Sequence, residues 1–217
     1  MLKLGIIGTG AISHHFIDAA HTSAEFQLVA VYSRNIKTAE KFASHYQDIK
    51  LFDQLDDFFK HPFDVVYIAS PNSLHYSQAK IALTARKHVV LEKPAVTQPH
   101  EWQELIEIAK ENQRFIFEAA RNYHEEAFTT IKDFLAEKHV LGADFNYAKY
   151  SSKMPNLLAG DTPNVFSDLF AGGALMDLGI YPLYASIRLF GKPSHTTYQA
   201  QQLDNSIDLN GDGILSY

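Results

Sequence analysis

Residues 4–13, Leu-Gly-Ile-Ile-Gly-Thr-Gly-Ala-Ile-Ser, constrain this chain more than any other stretch. A short apolar run ends at Gly8, and a helical pattern of polar and apolar residues begins directly after Gly10. That combination predicts a buried parallel strand turning tightly into a helix. Such a turn leaves backbone N–H groups free at the helix start, beside the positive end of the helix dipole, where phosphates bind. Gly8 permits the turn, and Gly10 has no side chain to keep a pyrophosphate from the backbone. Ser13 fills the third small position of G-x-G-x-x-G/A and still allows close helix–strand packing. The lesser alternative for the stretch taken alone is a plain glycine-rich strand-to-helix turn.

Up to about residue 120 the same alternation continues. Strands are predicted at 28–32, 49–52, 64–69, 88–91 and 115–118, and helices at 11–21, 38–45, 53–59, 73–85 and 102–111. Short links between alternating strands and helices demand a mostly parallel sheet with helices on both faces. The expectation is therefore an α/β chain whose residues 1–120 form a Rossmann domain with a doubly wound parallel sheet. From 121 to 217 the pattern changes. A helix at 125–137, a half-exposed strand at 144–149 and a long polar segment at 151–168 come first, and a segment that long often carries function. A helix at 174–190 follows, which Pro182 should loosen or kink by removing a backbone donor. Alternating strands at 196–203 and 213–217 complete a predicted α+β domain with an antiparallel sheet.

Composition excludes several classes. A formal net charge of -6 and a pI near 6.0 argue against a nucleic-acid surface, which needs clustered positive charge. The absence of cysteine excludes disulfides, thiolate nucleophiles and Cys-ligated zinc. No apolar stretch approaches the ~20 residues that span a bilayer. With the first strand opening almost at the N-terminus, a soluble, cytoplasmic protein is expected. Two metal-like patterns carry little. Asp208-Leu-Asn-Gly-Asp-Gly213 opens like a calcium loop but has no twelfth-position carboxylate, and a hairpin turn is expected there instead. His124-Glu125 opens like a zincin helix without its second histidine, and His14 and His15 point to different helix faces. No metal is expected.

Four further positions suggest chemistry. The second strand ends in Ser33-Arg34, with none of the acid that would take an NAD ribose. A guanidinium beside a hydroxyl suits a 2′-phosphate, so NADP is favoured over NAD, although a solvent-facing loop arginine would look the same. Glu92-Lys93-Pro94 follows the fifth strand at its carboxyl end, where open α/β sheets bind ligands. Lys93 could hold a substrate oxygen there, or be a surface lysine before a proline turn. Asp177 and Tyr181 stand four apart on the 174–190 helix and share a face. They could form a proton-transfer pair or lie on a solvated surface. Tyrosine ordinarily titrates near 10 and needs a cationic neighbour to work near neutral pH.

Gly5-Ile-Ile-Gly-Thr-Gly-Ala-Ile12, Ser33-Arg34, Ser70-Pro71-Asn72 with His75, Glu92-Lys93-Pro94 and Gly172-Gly-Ala-Leu-Met-Asp-Leu-Gly-Ile-Tyr181 occur in this order. Together they resemble the glucose–fructose oxidoreductase/inositol dehydrogenase (Gfo/Idh/MocA) family, from the first residues to about Pro193. The Asp-x-x-x-Tyr motif is most similar to the branch of dihydrodiol and NADP-dependent xylose dehydrogenases; the inositol and glucose–fructose branches usually carry histidine in place of Tyr181. The resemblance implies NAD(P)-dependent hydride transfer between a sugar, polyol or related alcohol and its carbonyl form. It implies that Gly8, Gly10, Ala11 and Ile12 cradle the pyrophosphate, and that Ser33 and Arg34 hold the adenosine ribose phosphate. Ser70, Asn72, His75 and Glu92 would line the nicotinamide side. Lys93 would be the catalytic lysine and stabilise the Tyr181 phenolate, Tyr181 would exchange the alcohol proton, and Asp177 would orient the substrate or the tyrosine. Family members run considerably longer, closing with a large antiparallel sheet that forms the substrate floor and a homo-oligomer face. On that comparison the second domain is expected to be partial. A non-catalytic NADP-binding or scaffold role is the alternative.

Overall fold

The structure, a computed structural model, describes residues 1–217 and divides into two units, Met1–Ala119 and Ala120–Tyr217. In the first unit the order is β1 (Leu2–Ile7), α1 (Ala11–Thr22), β2 (Phe26–Tyr32), α2 (Ile36–Ala43), β3 (Lys50–Phe52) and α3 (Leu55–Lys60). It continues with β4 (Val65–Ile68), α4 (Asn72–Thr84), β5 (His88–Leu91), α5 (Pro99–Glu111) and β6 (Ile116–Glu118). The six strands form one parallel sheet in the order β3-β2-β1-β4-β5-β6. Sequence order reverses between β1 and β4, which makes their carboxyl ends the switch point where such sheets bind ligands.

Side chains alternate across each strand, so the sheet has two cores. Ile7, Val66, Ile68, Val89 and Leu91 pack with Phe58, Ala79, Leu83 and Leu105 of α3, α4 and α5. Leu4, Ile6, Val65 and Tyr67 pack on the other face with Ile17, Ala20, Ala39 and Phe42 of α1 and α2. β4 is buried at every residue, as a central parallel strand must be. α5 starts on Pro99 and carries a capping box between Gln98 and Glu101, which together stop the chain from fraying after the Lys93 turn.

The second unit begins with a 3₁₀ turn, Arg121–His124, followed by α6 (Glu126–Leu135) and the short α7 (Met154–Leu158). A π turn, Leu175–Gly179, runs into α8 (Ile180–Phe190), and the antiparallel pair β7 (His195–Gln202) and β8 (Asp208–Ser216) follows. Pro182 lies inside a helical run that is continuous from residue 174 to 190, where it removes one backbone donor as expected. The wider π turn directly before it absorbs the disturbance expected of that proline.

Two expectations fail here. Residues 144–149 have no regular secondary structure and are exposed; they make no ladder with β7 or β8, which pair only with each other, and alternation alone does not supply a hydrogen-bonding partner. The hairpin turn lies at residues 204–206 rather than at 208–213. Leu203 donates its N–H to the Ile207 carbonyl at 2.8 Å, Ser206 takes a left-handed φ of 64°, and Asn205 Oδ1 accepts from Ile207 N. Asp208 to Gly213 instead belong to β8, where Gly211 lies beneath the Tyr198 ring; a Cβ there would come within 2.4 Å of the phenol oxygen. No helix is long and apolar enough to cross a membrane.

Candidate active site

The β1–α1 turn is shaped by close approach at Gly8. Its φ is +103°, and a Cβ would stand 2.3 Å from the Ala69 carbonyl oxygen at the end of β4. Glycine is required on both counts. Ser13 is fully buried and donates its hydroxyl to the Gly8 carbonyl at 2.8 Å, so the serine in the third small position ties the turn shut. Gly10 differs from Gly8. It is exposed, a Cβ on it would meet nothing within 4 Å, and it caps α1 without a side-chain hydrogen bond. Ala11 and Ile12 are exposed beside it, and the first turn of α1 carries no acidic residue. Open space over an uncapped helix start is what a pyrophosphate requires, so these residues fit a dinucleotide.

Along the same carboxyl edge, β2 is followed by Ser33, whose N–H donates to the Phe52 carbonyl at 3.0 Å. Arg34 is exposed, and Asn35 caps α2 by accepting from Lys37 N. Beyond β4, the Ser70 hydroxyl donates to Gln78 Oε1 at 2.6 Å, and Pro71 and Asn72 open α4. Beyond β5, Glu92 and Lys93 are half-buried and the Lys93–Pro94 peptide is cis. Gly8, Gly10, Ala11, Ile12, Ser33, Arg34, Ser70, Asn72, Glu92 and Lys93 thus stand at the carboxyl ends of four adjacent strands.

His75 does not fit the role expected of it. Its side chain is wholly enclosed and offers no surface to a nicotinamide. Nδ1 lies 2.9 Å from the Pro94 carbonyl and Nε2 lies 2.8 Å from the Ser70 carbonyl, so the ring joins the two loops from beneath. Burial pushes its pKa below the ordinary histidine value, against the opposing pull of those carbonyls and of Glu92 and Glu118.

In the second unit, Gly172 and Gly173 set the start of the helical run that carries Asp177 and Tyr181. A Cβ on Gly172 would stand 2.5 Å from the Val165 carbonyl oxygen. Gly173 has φ +116°, and its Cβ would stand 2.0 Å from Asp208 Oδ1. Asp208 Oδ2 accepts from Leu175 N at 2.7 Å and from the Tyr198 hydroxyl at 2.6 Å, so a β8 carboxylate holds the N-terminus of that run. Burial, and then the bond to Asp208, push the Tyr198 phenol well above its ordinary range. Asp177 lies in the π turn and Tyr181 in α8, and both are half-buried. Tyr181 meets Tyr147 edge-on at 5.2 Å, and its carbonyl accepts from Asn122 Nδ2 at 3.4 Å. Single π turns inside α-helices are frequent at functional sites.

Sequence reasoning missed Tyr67, Glu118 and Asp208. The signals were faint: one phenol in an otherwise aliphatic strand, and one acid closing another. Asp208 was visible only as part of a supposed turn.

Comparison with known proteins agrees with this fold. A family model of Gfo/Idh/MocA oxidoreductases with an NAD-binding Rossmann fold matches residues 2–120. The scyllo-inositol 2-dehydrogenase (NADP(+)) IolU of Bacillus subtilis is 35% identical over 222 residues, covering 100% of this chain and 67% of its own. Trans-1,2-dihydrobenzene-1,2-diol dehydrogenase of Xenopus laevis is 27% identical over 220 residues, covering 99% and 65%. A crystal structure of a 3-ketoreductase from Actinomadura kijaniata, in complex with NADP, gives a TM-score of 0.81 at 22% identity, covering 99% of this chain and 66% of that one. That last likeness concerns the fold alone. The chain spans about two thirds of the length of these proteins.

Proposed function

As the chain belongs to the Gfo/Idh/MocA oxidoreductase family with its NAD-binding Rossmann fold, we propose that it binds NADP and serves hydride transfer on a sugar, polyol or dihydrodiol-type alcohol. The observation that carries this reading is the open, uncapped start of α1 over Gly10, on the same sheet edge as Ser33 and an exposed Arg34. Gly8, Gly10, Ala11 and Ile12 would hold the pyrophosphate, Ser33 and Arg34 the 2′-phosphate, and Ser70, Asn72 and Glu92 the nicotinamide side. When bound, the nicotinamide supplies or accepts the hydride. Lys93 would hold the substrate oxygen, and Tyr181, oriented by Asp177, would exchange the alcohol proton. The names of the two enzyme relatives, an NADP-dependent inositol dehydrogenase and a dihydrodiol dehydrogenase, support the cofactor and the substrate class. They favour this reading over a non-catalytic one.

In the same proposal residues 1–120 form the cofactor domain and residues 121–217 contribute to the substrate domain. The hairpin of β7 and β8 belongs to a sheet through which copies associate, and the protein works in the cytoplasm. Fluorescence titration with NADPH and NADH tests the cofactor assignment. Tighter binding of NADPH, with the preference abolished by Arg34→Ala, is expected; a wild-type preference for NADH would overturn it. Reduction of NADP⁺ with scyllo-inositol or trans-1,2-dihydrobenzene-1,2-diol tests the rest. Full turnover in Lys93→Met or Tyr181→Phe would remove that residue from the chemistry.

A further inference from the structure

The Glu92-Lys93-Pro94-Ala95 turn is tied down by side chains from three other elements. Tyr67 of β4 pairs with Val90 of β5, so its side chain shares a face with Val90 and, two residues on, with Glu92. Its hydroxyl donates to Glu92 Oε1, while Glu92 Oε2 accepts from the backbone N–H of Lys93 at 3.1 Å. The Tyr67 ring is fully buried and stacks on Phe16 of α1 at 3.9 Å between centroids. From the opposite face, His75 of α4 meets the Pro94 carbonyl. From the next strand, Glu118 at the end of β6 accepts from Ala95 N at 2.8 Å. The backbone N–H of Glu92 itself donates to the Ile68 carbonyl at 2.9 Å.

We propose that Tyr67, His75 and Glu118 are positioning residues that together fix the backbone of residues 92–95 and so preset Lys93. The proposal rests on the reading of Lys93 as the group that meets the substrate oxygen. Packing alone does not account for the three. Phenylalanine would fill the place of Tyr67 against Phe16 without a buried hydroxyl that must find a partner. Three polar side chains from three elements converge instead on four residues, and each holds a different atom: a carboxylate, a carbonyl and an amide. The Glu92 carboxylate joins two of these contacts, since one oxygen is held by Tyr67 while the other holds the Lys93 amide. Such double anchorage sets a catalytic side chain within the narrow tolerance that chemistry requires.

Tyr67→Phe and Glu118→Gln in the whole chain test this by amide hydrogen exchange resolved at single residues. Lys93 N–H in the first variant should exchange about tenfold faster, the size expected when one charge-assisted hydrogen bond is lost, and Ala95 N–H in the second about threefold faster, because the new amide oxygen still accepts but carries no charge. Amides of β1 and the melting temperature should stay close to wild type in Tyr67→Phe, whose ring still stacks on Phe16. With NADP⁺ and scyllo-inositol, kcat should fall about tenfold at unchanged KM, whereas a general loosening of the fold would move both. If Glu118→Gln or His75→Gln does not fold, Tyr67→Phe carries the test alone. Unchanged Lys93 exchange in Tyr67→Phe refutes the proposal outright. Wild-type exchange and kcat in Tyr67→Phe beside an inactive Lys93→Met would remove the positioning role and leave the role of Lys93 standing. An active Lys93→Met would remove both.

Discussion

Gly8 and Gly10 stand two residues apart and should respond in opposite ways to the same added methyl. Gly8→Ala forces a φ of +103° on an L side chain and drives its Cβ to 2.3 Å from the Ala69 carbonyl oxygen. Strain of that kind costs about 1–3 kcal/mol. Overpacking against backbone that cannot swing aside costs about 1–3 kcal/mol more. The variant should therefore lose roughly 2–6 kcal/mol, a large part of the roughly 5–15 kcal/mol that stabilises an ordinary domain. Gly10→Ala should be nearly silent in stability, within about 1 kcal/mol, because φ is −81° and the Cβ meets nothing within 4 Å. Its methyl would instead occupy the space the pyrophosphate needs. Loss of one or two charge-assisted hydrogen bonds there should weaken NADPH binding by about 10–100-fold. Urea unfolding followed by the fluorescence of Trp102, the single tryptophan, reports on the unit that holds both glycines, since Trp102 packs against its core. At a slope of about 2 kcal/mol per M, the Gly8→Ala midpoint should drop by roughly 1–3 M. A Gly10→Ala variant that binds NADPH as tightly as wild type would refute the assignment of the α1 start as the phosphate cradle. An unchanged midpoint in Gly8→Ala would refute the steric reasoning.

Two further outcomes follow from the same geometry. Gly173→Ala should destabilise the second unit by about 1–3 kcal/mol, because φ is +116° and the new Cβ would press on the Asp208 carboxylate that holds Leu175 N. Circular dichroism melts should show this, and a melt identical to wild type would mean that the Asp208 contact does not anchor the Asp177–Tyr181 run. Stability should also fall as pH drops below about 6.5. Burial lowers the pKa of His75, and of His61 beside Lys50, Lys3 and Lys87, and of His88 beside Arg114. Acid therefore protonates the unfolded chain first, and stability present above the unfolded value is lost as pH falls through it toward the lowered folded values. Melting temperatures between pH 8 and 5 should trace this decline, with a shallower slope in His75→Gln; a flat or rising profile would contradict it.

The sequence by itself determined the parallel sheet, the tight β1–α1 turn and the placement of Ser33-Arg34 and Glu92-Lys93-Pro94 at strand ends. Those signals are local. Apolar runs, helical periodicity and paired glycines depend on near neighbours along the chain, so most strands and helices of the first unit were predicted within two or three residues of where they lie. Tertiary structure decided everything that depended on a distant partner. Residues 144–149 alternate like a strand yet form none, because alternation supplies a face and only another strand supplies hydrogen bonds. His75 reads as a polar residue near a ligand, but the packing of α4 encloses it between the Ser70 and Pro94 carbonyls. Asp208 looks like part of a turn until β8 brings it under Gly173 and Leu175, more than thirty residues earlier in the chain. Tyr67 is one more apolar position in a buried strand until the β4–β5 register sets its hydroxyl on Glu92, 25 residues away. Such contacts are fixed by strand register and helix packing, which no window along the chain contains.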